Sequence, residues 1–211
     1  METETLVHGP GAAIEANRRG AERHASLMRA AKIVCECSEY VVIIRDVSAT
    51  GVSLRLFHDF PASGSSELSL VLSNGDRYPL DLRRTERHQI ACTFAGPPVD
   101  VGSLIKEVWK YPRRPLRLRL RATAQVATLS GRTAALVVNL SQQGARIETD
   151  GMLANDQAVT LSGPMLACVR AKVRWRDGRR YGLVFEDTFR LAEFAVLAQR
   201  LQRPHAVRRA S

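Results

Sequence analysis

Residues 46–51 read Asp46-Val47-Ser48-Ala49-Thr50-Gly51, and residues 139–144 read Asn139-Leu140-Ser141-Gln142-Gln143-Gly144. Both hexapeptides fit Asx-x-Ser-x-x-Gly, and matching positions stand 93 residues apart. An alternating strand follows each one. After Gly51, the apolar Val52, Leu54 and Leu56 share one face while Ser53 and Arg55 share the other; after Gly144, Ala145 and Ile147 share a face. Recurrence of an uncommon pattern at a fixed offset signals a duplicated folding unit. Asx and Ser side chains also bond nearby backbone amides, so each hexapeptide is good turn chemistry in its own right.

Outward from these turns, each half of the chain offers about six short strands. In the first half they are Lys32–Cys37, Tyr40–Asp46, Gly51–Phe57, Ser66–Leu72, Arg77–Leu82 and Gln89–Phe94. In the second they are Arg121–Leu129, Arg132–Asn139, Gly144–Thr149, Gln157–Leu161, Val169–Trp175 and Tyr181–Glu186. Asn74-Gly75 and Asp177-Gly178 are type I′ hairpin signals. Gly96-Pro97-Pro98 breaks the β pattern, and Val101–Trp109 suits a short helix with Asp100 as N-cap, ended by Tyr111-Pro112. Thr188–Gln202 reads as a helix with Phe189, Leu191, Phe194, Leu197 and Leu201 on one stripe. The expected fold is all-β: two six-stranded antiparallel barrels in tandem, closed so that no strand edge is left open, with a short connecting helix and a C-terminal helix. The expected divisions are a disordered lead-in at 1–17, barrels at 18–98 and 112–190, a connector helix at 99–111, and a C-terminal helix and basic tail at 191–211.

The 211 residues carry a formal net charge of +10, and 27 of the 31 basic residues are Arg. A GC-rich genome explains such an excess, and so does an anionic partner, because the guanidinium fork matches phosphates and guanine edges. Cys35, Cys37, Cys92 and Cys168 form no CxxC pair and have no His at metal-ligand spacing, so they read as reduced structural thiols, with Cys35 and Cys37 on one side of a strand. No paired carboxylates, phosphate loop or Ser-His-Asp set is present, and the chain is read as a non-enzyme without cofactor or metal. His24, His88 and His205 read as exposed, and Trp109 and Trp175 as core or interface anchors. The start METETLVHGP lacks an apolar core segment, and apolar runs such as Val41–Ile44 are too short to span a bilayer. A cytoplasmic protein without a membrane span is expected.

Arg19 and Arg23 form an RxxxR ahead of the first hexapeptide, and Arg113 and Arg117 form another, offset by 94. RxxxR alone says little in so Arg-rich a chain; two occurrences, each about 25 residues ahead of Asx-x-Ser-x-x-Gly, say more. At these residues the chain resembles the PilZ domain family twice over, across about 18–98 and 112–190. Tyr181-Gly182-Leu183-Val184-Phe185 is similar to the family's closing strand. The first copy departs there, with Ala91 where the family usually has Gly, a position in the barrel wall. The resemblance implies a six-stranded barrel that in many members binds cyclic di-GMP. It implies a receptor relaying that messenger to an unidentified protein target controlling motility, biofilm or exopolysaccharide. The alternative within the family is a ligand-free adaptor acting through protein contacts. Nucleic acid is disfavoured, since no sheet face is rich in aromatics.

On this reading the candidate ligand set is Arg19, Arg23, Asp46, Ser48 and Gly51 in the first copy. In the second it is Arg113, Arg114, Arg117, Asn139, Ser141 and Gly144. Guanidinium groups can bridge phosphate oxygens, engage guanine O6 and N7 together, and stack on a purine face. The Arg pairs are expected on a flexible segment leading into each barrel. Asp46 and Asn139 offer an oxygen to the guanine N–H donors, and Ser48 and Ser141 add a hydroxyl. Gly51 and Gly144 allow a positive φ and a close approach of the backbone to the ligand.

Overall fold

The computed structural model describes residues 28–36, 38–60, 67–106 and 115–207. The lead-in 1–17, Cys37, Trp109 and the arginines Arg19, Arg23, Arg113 and Arg114 lie outside the described residues.

Strands β1 (Arg29–Cys35), β2 (Ser38–Val47), β3 (Gly51–Leu56), β4 (Leu68–Val71), β5 (Arg77–Glu86) and β6 (Gln89–Phe94) form a closed antiparallel barrel. Their order around it is β1-β2-β3-β6-β5-β4, and β4 pairs back onto β1. Helix α1 (Val101–Lys106) follows, with the Asp100 carboxylate accepting from the Gly102 N–H at 2.9 Å, the expected cap. Strands β7 (Arg117–Thr128), β8 (Gly131–Ser141), β9 (Gly144–Thr149), β10 (Ala158–Gly163), β11 (Leu166–Asp177) and β12 (Arg180–Phe185) then repeat the same order six strands on. Helix α2 (Leu191–Val207) closes the described chain. It begins three residues later than the apolar stripe suggests, because the Glu193 carboxylate turns back to accept from the Arg190 N–H at 3.0 Å and fixes Arg190 as the cap.

The duplication extends to the irregularities. Bulges fall between Ile44 and Asp46 in β2 and between Val137 and Asn139 in β8; a second pair falls between Leu82 and Arg84 in β5 and between Val173 and Trp175 in β11. A bulge changes which face the following side chains take. The two Asx-Gly signals do mark hairpins, but neither is a two-residue type I′ turn. Leu72 and Asp76 bracket a three-residue loop in which Gly75 takes the positive φ. Asp177 pairs with Arg180, leaving Gly178-Arg179 as the loop with positive φ at Gly178 alone, the type II′ pattern.

Aliphatic side chains fill both barrels, as the low aromatic content requires: Ile33, Ile44, Leu54 and Leu70 in the first, and Leu118, Leu140, Ile147 and Leu161 in the second. Phe194, Ala198 and Leu201 of α2 pack into the second core, and so does Val41 from β2 of the first barrel. The barrels are therefore joined by buried contacts. Polar bonds finish the joint at Glu39, whose carboxylate accepts from Lys32 Nζ at 2.7 Å and from the Arg119 N–H at 2.8 Å. The Glu39 N–H donates to the Gln202 side chain of α2 at 2.8 Å, and Gln202 donates back to the Glu39 carbonyl at 2.9 Å. Lys32 also donates to the Arg117 carbonyl at 2.9 Å.

Candidate functional site

Four of the candidate residues in the second half meet at one end of its barrel. Arg117 opens β7 and sits opposite Ser141, the last residue of β8. Gly144 opens β9 opposite Ser141, and Asn139 follows the β8 bulge. Together they line a cleft of about 210 Å³. Arg117 thus stands on a regular strand and not on a flexible lead-in, and Lys32 holds its carbonyl from the first barrel.

The serines and glycines do different work from that expected. Ser141 is buried, and its hydroxyl donates to the Gly144 carbonyl at 3.1 Å. In the first barrel the Ser48 hydroxyl accepts from the Gly51 N–H at 3.1 Å. Both hydroxyls brace a turn and retain acceptor capacity toward a ligand. Neither Gly51 nor Gly144 has positive φ. A Cβ at Gly144 would collide with the Leu183 carbonyl oxygen, and one at Gly51 would lie 2.9 Å from the Cys92 carbonyl oxygen. These glycines let β9 press against β12, and β3 against β6. Gly144→Ala should therefore destabilise the second barrel by about 1–3 kcal/mol of overpacking, read as a lowered denaturant midpoint with unchanged slope.

The cleft also contains residues that pattern reading missed. Ala171 and Val173 point inward on β11, and strict alternation would place Trp175 inside with them. The bulge between Val173 and Trp175 turns the indole outward, 39% exposed, over Gly182 of β12, where any Cβ would collide with it. Trp175 is therefore a wall of the cleft and not a core anchor. The Arg146 guanidinium lies 5.4 Å from the indole centroid, and its Nε is buried without a hydrogen-bond partner. Arg174 stands at the rim, 3.3 Å from Asp156. No carboxylate lines this cleft, and none among the described residues pairs with Arg117 or Arg146.

Asp46, Ser48 and Gly51 likewise meet in the first barrel, in a cleft of about 370 Å³ with Ser53, Arg84 and Glu86. Arg84 pairs with Glu86 at 3.2 Å. Burial, helped by Asp81, pushes the pKa of the Cys92 thiol up to about 12, so this thiol stays protonated at neutral pH. A third groove, of about 530 Å³, runs between the barrels. It shares Arg117 and Asn139 with the second cleft and adds Lys32, Arg77 and Arg119. Among the described residues no group of three His, Cys, Asp or Glu is placed to hold a metal, and no helix is long and apolar enough to cross a membrane.

Residues 110–202 match the sequence model of the PilZ domain. No curated protein matches the chain. Among solved structures it is similar to the Borreliella burgdorferi PlzA protein in complex with c-di-GMP, at 13% identity over 87% of this chain and 94% of that one, with a TM-score of 0.36. It is also similar to Escherichia coli YcgR in complex with c-di-GMP (11% identity, 87% and 85% covered, TM-score 0.34). A third is the Bacillus subtilis inhibitor of motility MotI/DgrA (14% identity, 87% and 97% covered, TM-score 0.33).

Proposed function

We propose, from a second barrel that belongs to the PilZ domain family across residues 110–202, that this chain is a cyclic di-GMP receptor. It relays messenger level to a protein partner and carries out no chemistry of its own. The observation that carries this reading is the convergence of Arg117, Asn139 and Ser141 with Trp175 and Arg146 in one cation-lined cleft. Arg117 supplies a fork for phosphate or for guanine O6 and N7, and Asn139 an amide for the guanine N–H groups. Trp175 supplies a face on which a purine can stack. Arg113 and Arg114 precede Arg117 by four and three residues, which puts them within roughly 14 Å of it along the chain, close enough to reach the same ligand. Arg19, Arg23, Asp46, Ser48 and Gly51 hold the corresponding sequence positions in the first half of the chain. We take 18–98 and 112–190 as the two domains, and the cytoplasm, where a nucleotide messenger circulates, as the place of action.

Outputs in motility, biofilm or exopolysaccharide control fit such a receptor. Nucleic acid is a poorer partner despite the charge of +10. On the wall of the second barrel, Arg170 pairs with Glu186, Arg179 with Asp150 and Arg180 with Glu148, which neutralises the surface a phosphate backbone would need. A ligand-free adaptor would leave the Arg117–Trp175 cleft without a use.

Fluorescence tests the reading directly. Trp109 and Trp175 are the chain's two tryptophans. Cyclic di-GMP should change the emission in proportion to occupancy, and Trp175→Phe should remove most of that change. No change in the wild type at ligand concentrations up to about 1 mM, where binding is worth only about 4 kcal/mol, rules the receptor reading out.

A further inference from the structure

We infer that the two barrels are not equivalent receptors, and that one facing pair on the last two hairpin strands of each barrel decides which cleft takes the messenger. This rests on the proposed function and deepens it. In the second barrel the pair is Trp175 opposite Gly182; in the first it is Arg84 opposite Ala91. The positions correspond by topology, since each pair directly follows a matching bulge.

Gly182 has no Cβ, and the indole of Trp175 occupies the space that a Cβ would fill. Ala91 carries that Cβ, so a flat aromatic ring cannot lie against β6 in the same way. Arg84 stands there instead and is engaged by Glu86 at 3.2 Å. The first cleft therefore lacks an aromatic stacking face, and its Arg84 guanidinium is tied to a carboxylate. It also differs in charge. Asn139 pairs with Arg146 across β8 and β9, whereas Asp46 pairs with Ser53 across β2 and β3. No carboxylate lines the second cleft, where Arg117 and Arg146 pair with no described carboxylate and Arg174 is held by Asp156 outside the lining, while the wall of the first carries Arg84 against Asp46 and Glu86. The RxxxR pairs are matched between the halves, so the walls make the difference. A ligand with two phosphate charges meets a net cationic wall in the second cleft and a net anionic wall in the first. The second cleft is the receptor. The first barrel serves through its joint at Glu39 and Lys32, which fixes the backbone of Arg117.

Titration calorimetry of the full chain with cyclic di-GMP tests this. Asp46→Ala and Arg84→Ala alter exposed groups and should leave binding capacity unchanged and affinity within about twofold, as surface changes away from a site do. Trp175→Ala and Arg146→Ala should each weaken affinity by roughly tenfold or more, the range expected for a lost base stack or cation contact. Halved capacity in Asp46→Ala, or unchanged affinity in both Trp175→Ala and Arg146→Ala, overturns the inference while leaving the receptor reading standing. Absence of heat and of fluorescence change in the wild type removes the receptor reading itself, and this inference with it.

Discussion

Arg117→Ala should weaken cyclic di-GMP binding by about ten- to a hundredfold while leaving the fold intact. A hydrogen bond to a charged group contributes about 1.5–3 kcal/mol, and each 1.4 kcal/mol is about tenfold in affinity. The guanidinium is exposed and pairs with no described carboxylate, so its removal leaves no buried partner stranded. The backbone roles of residue 117, opposite Ser141 and as acceptor for Lys32, survive the change. Arg117→Lys should recover little, because a point charge cannot present the fork. Calorimetry at two salt concentrations gives both answers. Wild-type affinity in the Ala variant would show that Arg117 does not touch the ligand.

The second large effect is on stability. Glu39→Ala should cost about 3–5 kcal/mol, the usual consequence of removing one partner from a buried ion pair. Both side chains are well covered, Lys32 at 13% and Glu39 at 9% exposure. Removing the carboxylate strands the Lys32 ammonium and takes the acceptor from the Arg119 N–H. Glu39→Gln should cost less, since an amide oxygen can still accept from one of them. Replacing both Lys32 and Glu39 by apolar residues should cost less than Glu39→Ala alone. Urea unfolding of the three variants checks the ranking; a loss below about 1 kcal/mol in Glu39→Ala would mean that the joint is held by apolar packing alone.

Much of the fold could be read from periodicity. Alternation in Gly51–Phe57 and Gly144–Thr149 placed β3 (Gly51–Leu56) and β9, and β6 (Gln89–Phe94) has the bounds that its pattern suggested. The repeated hexapeptide anticipated the duplication. Strand ends were less legible: β7 and β8 reach Arg117 and Ser141, which puts two candidate residues inside the ladder where a lead-in and a turn were anticipated. A stretch such as Arg117–Arg121 alternates with Leu118 and Leu120, but its Arg-rich composition masked the strand.

The site was half legible for the same reason. Arg117, Asn139, Ser141 and Gly144 carry a local motif, and the barrel does bring them together. Trp175 and Arg146 carry none. Trp175 reaches the cleft only because a bulge reverses its face, and Arg146 only because it stands across the ladder from Asn139. Both facts depend on strand pairing, which period-2 patterning does not encode. The glycines misled in a different way, since a close strand approach and a positive φ both select Gly.

The most direct test is an amide and indole resonance titration of the full chain with cyclic di-GMP. The account predicts that the largest shifts fall on the Trp175 indole N–H and on the amides of residues 117, 139, 141 and 146, with the amides of residues 46, 48 and 51 nearly unmoved. Shifts of equal size around residues 46–51, or shifts confined to a surface away from Trp175, would contradict it.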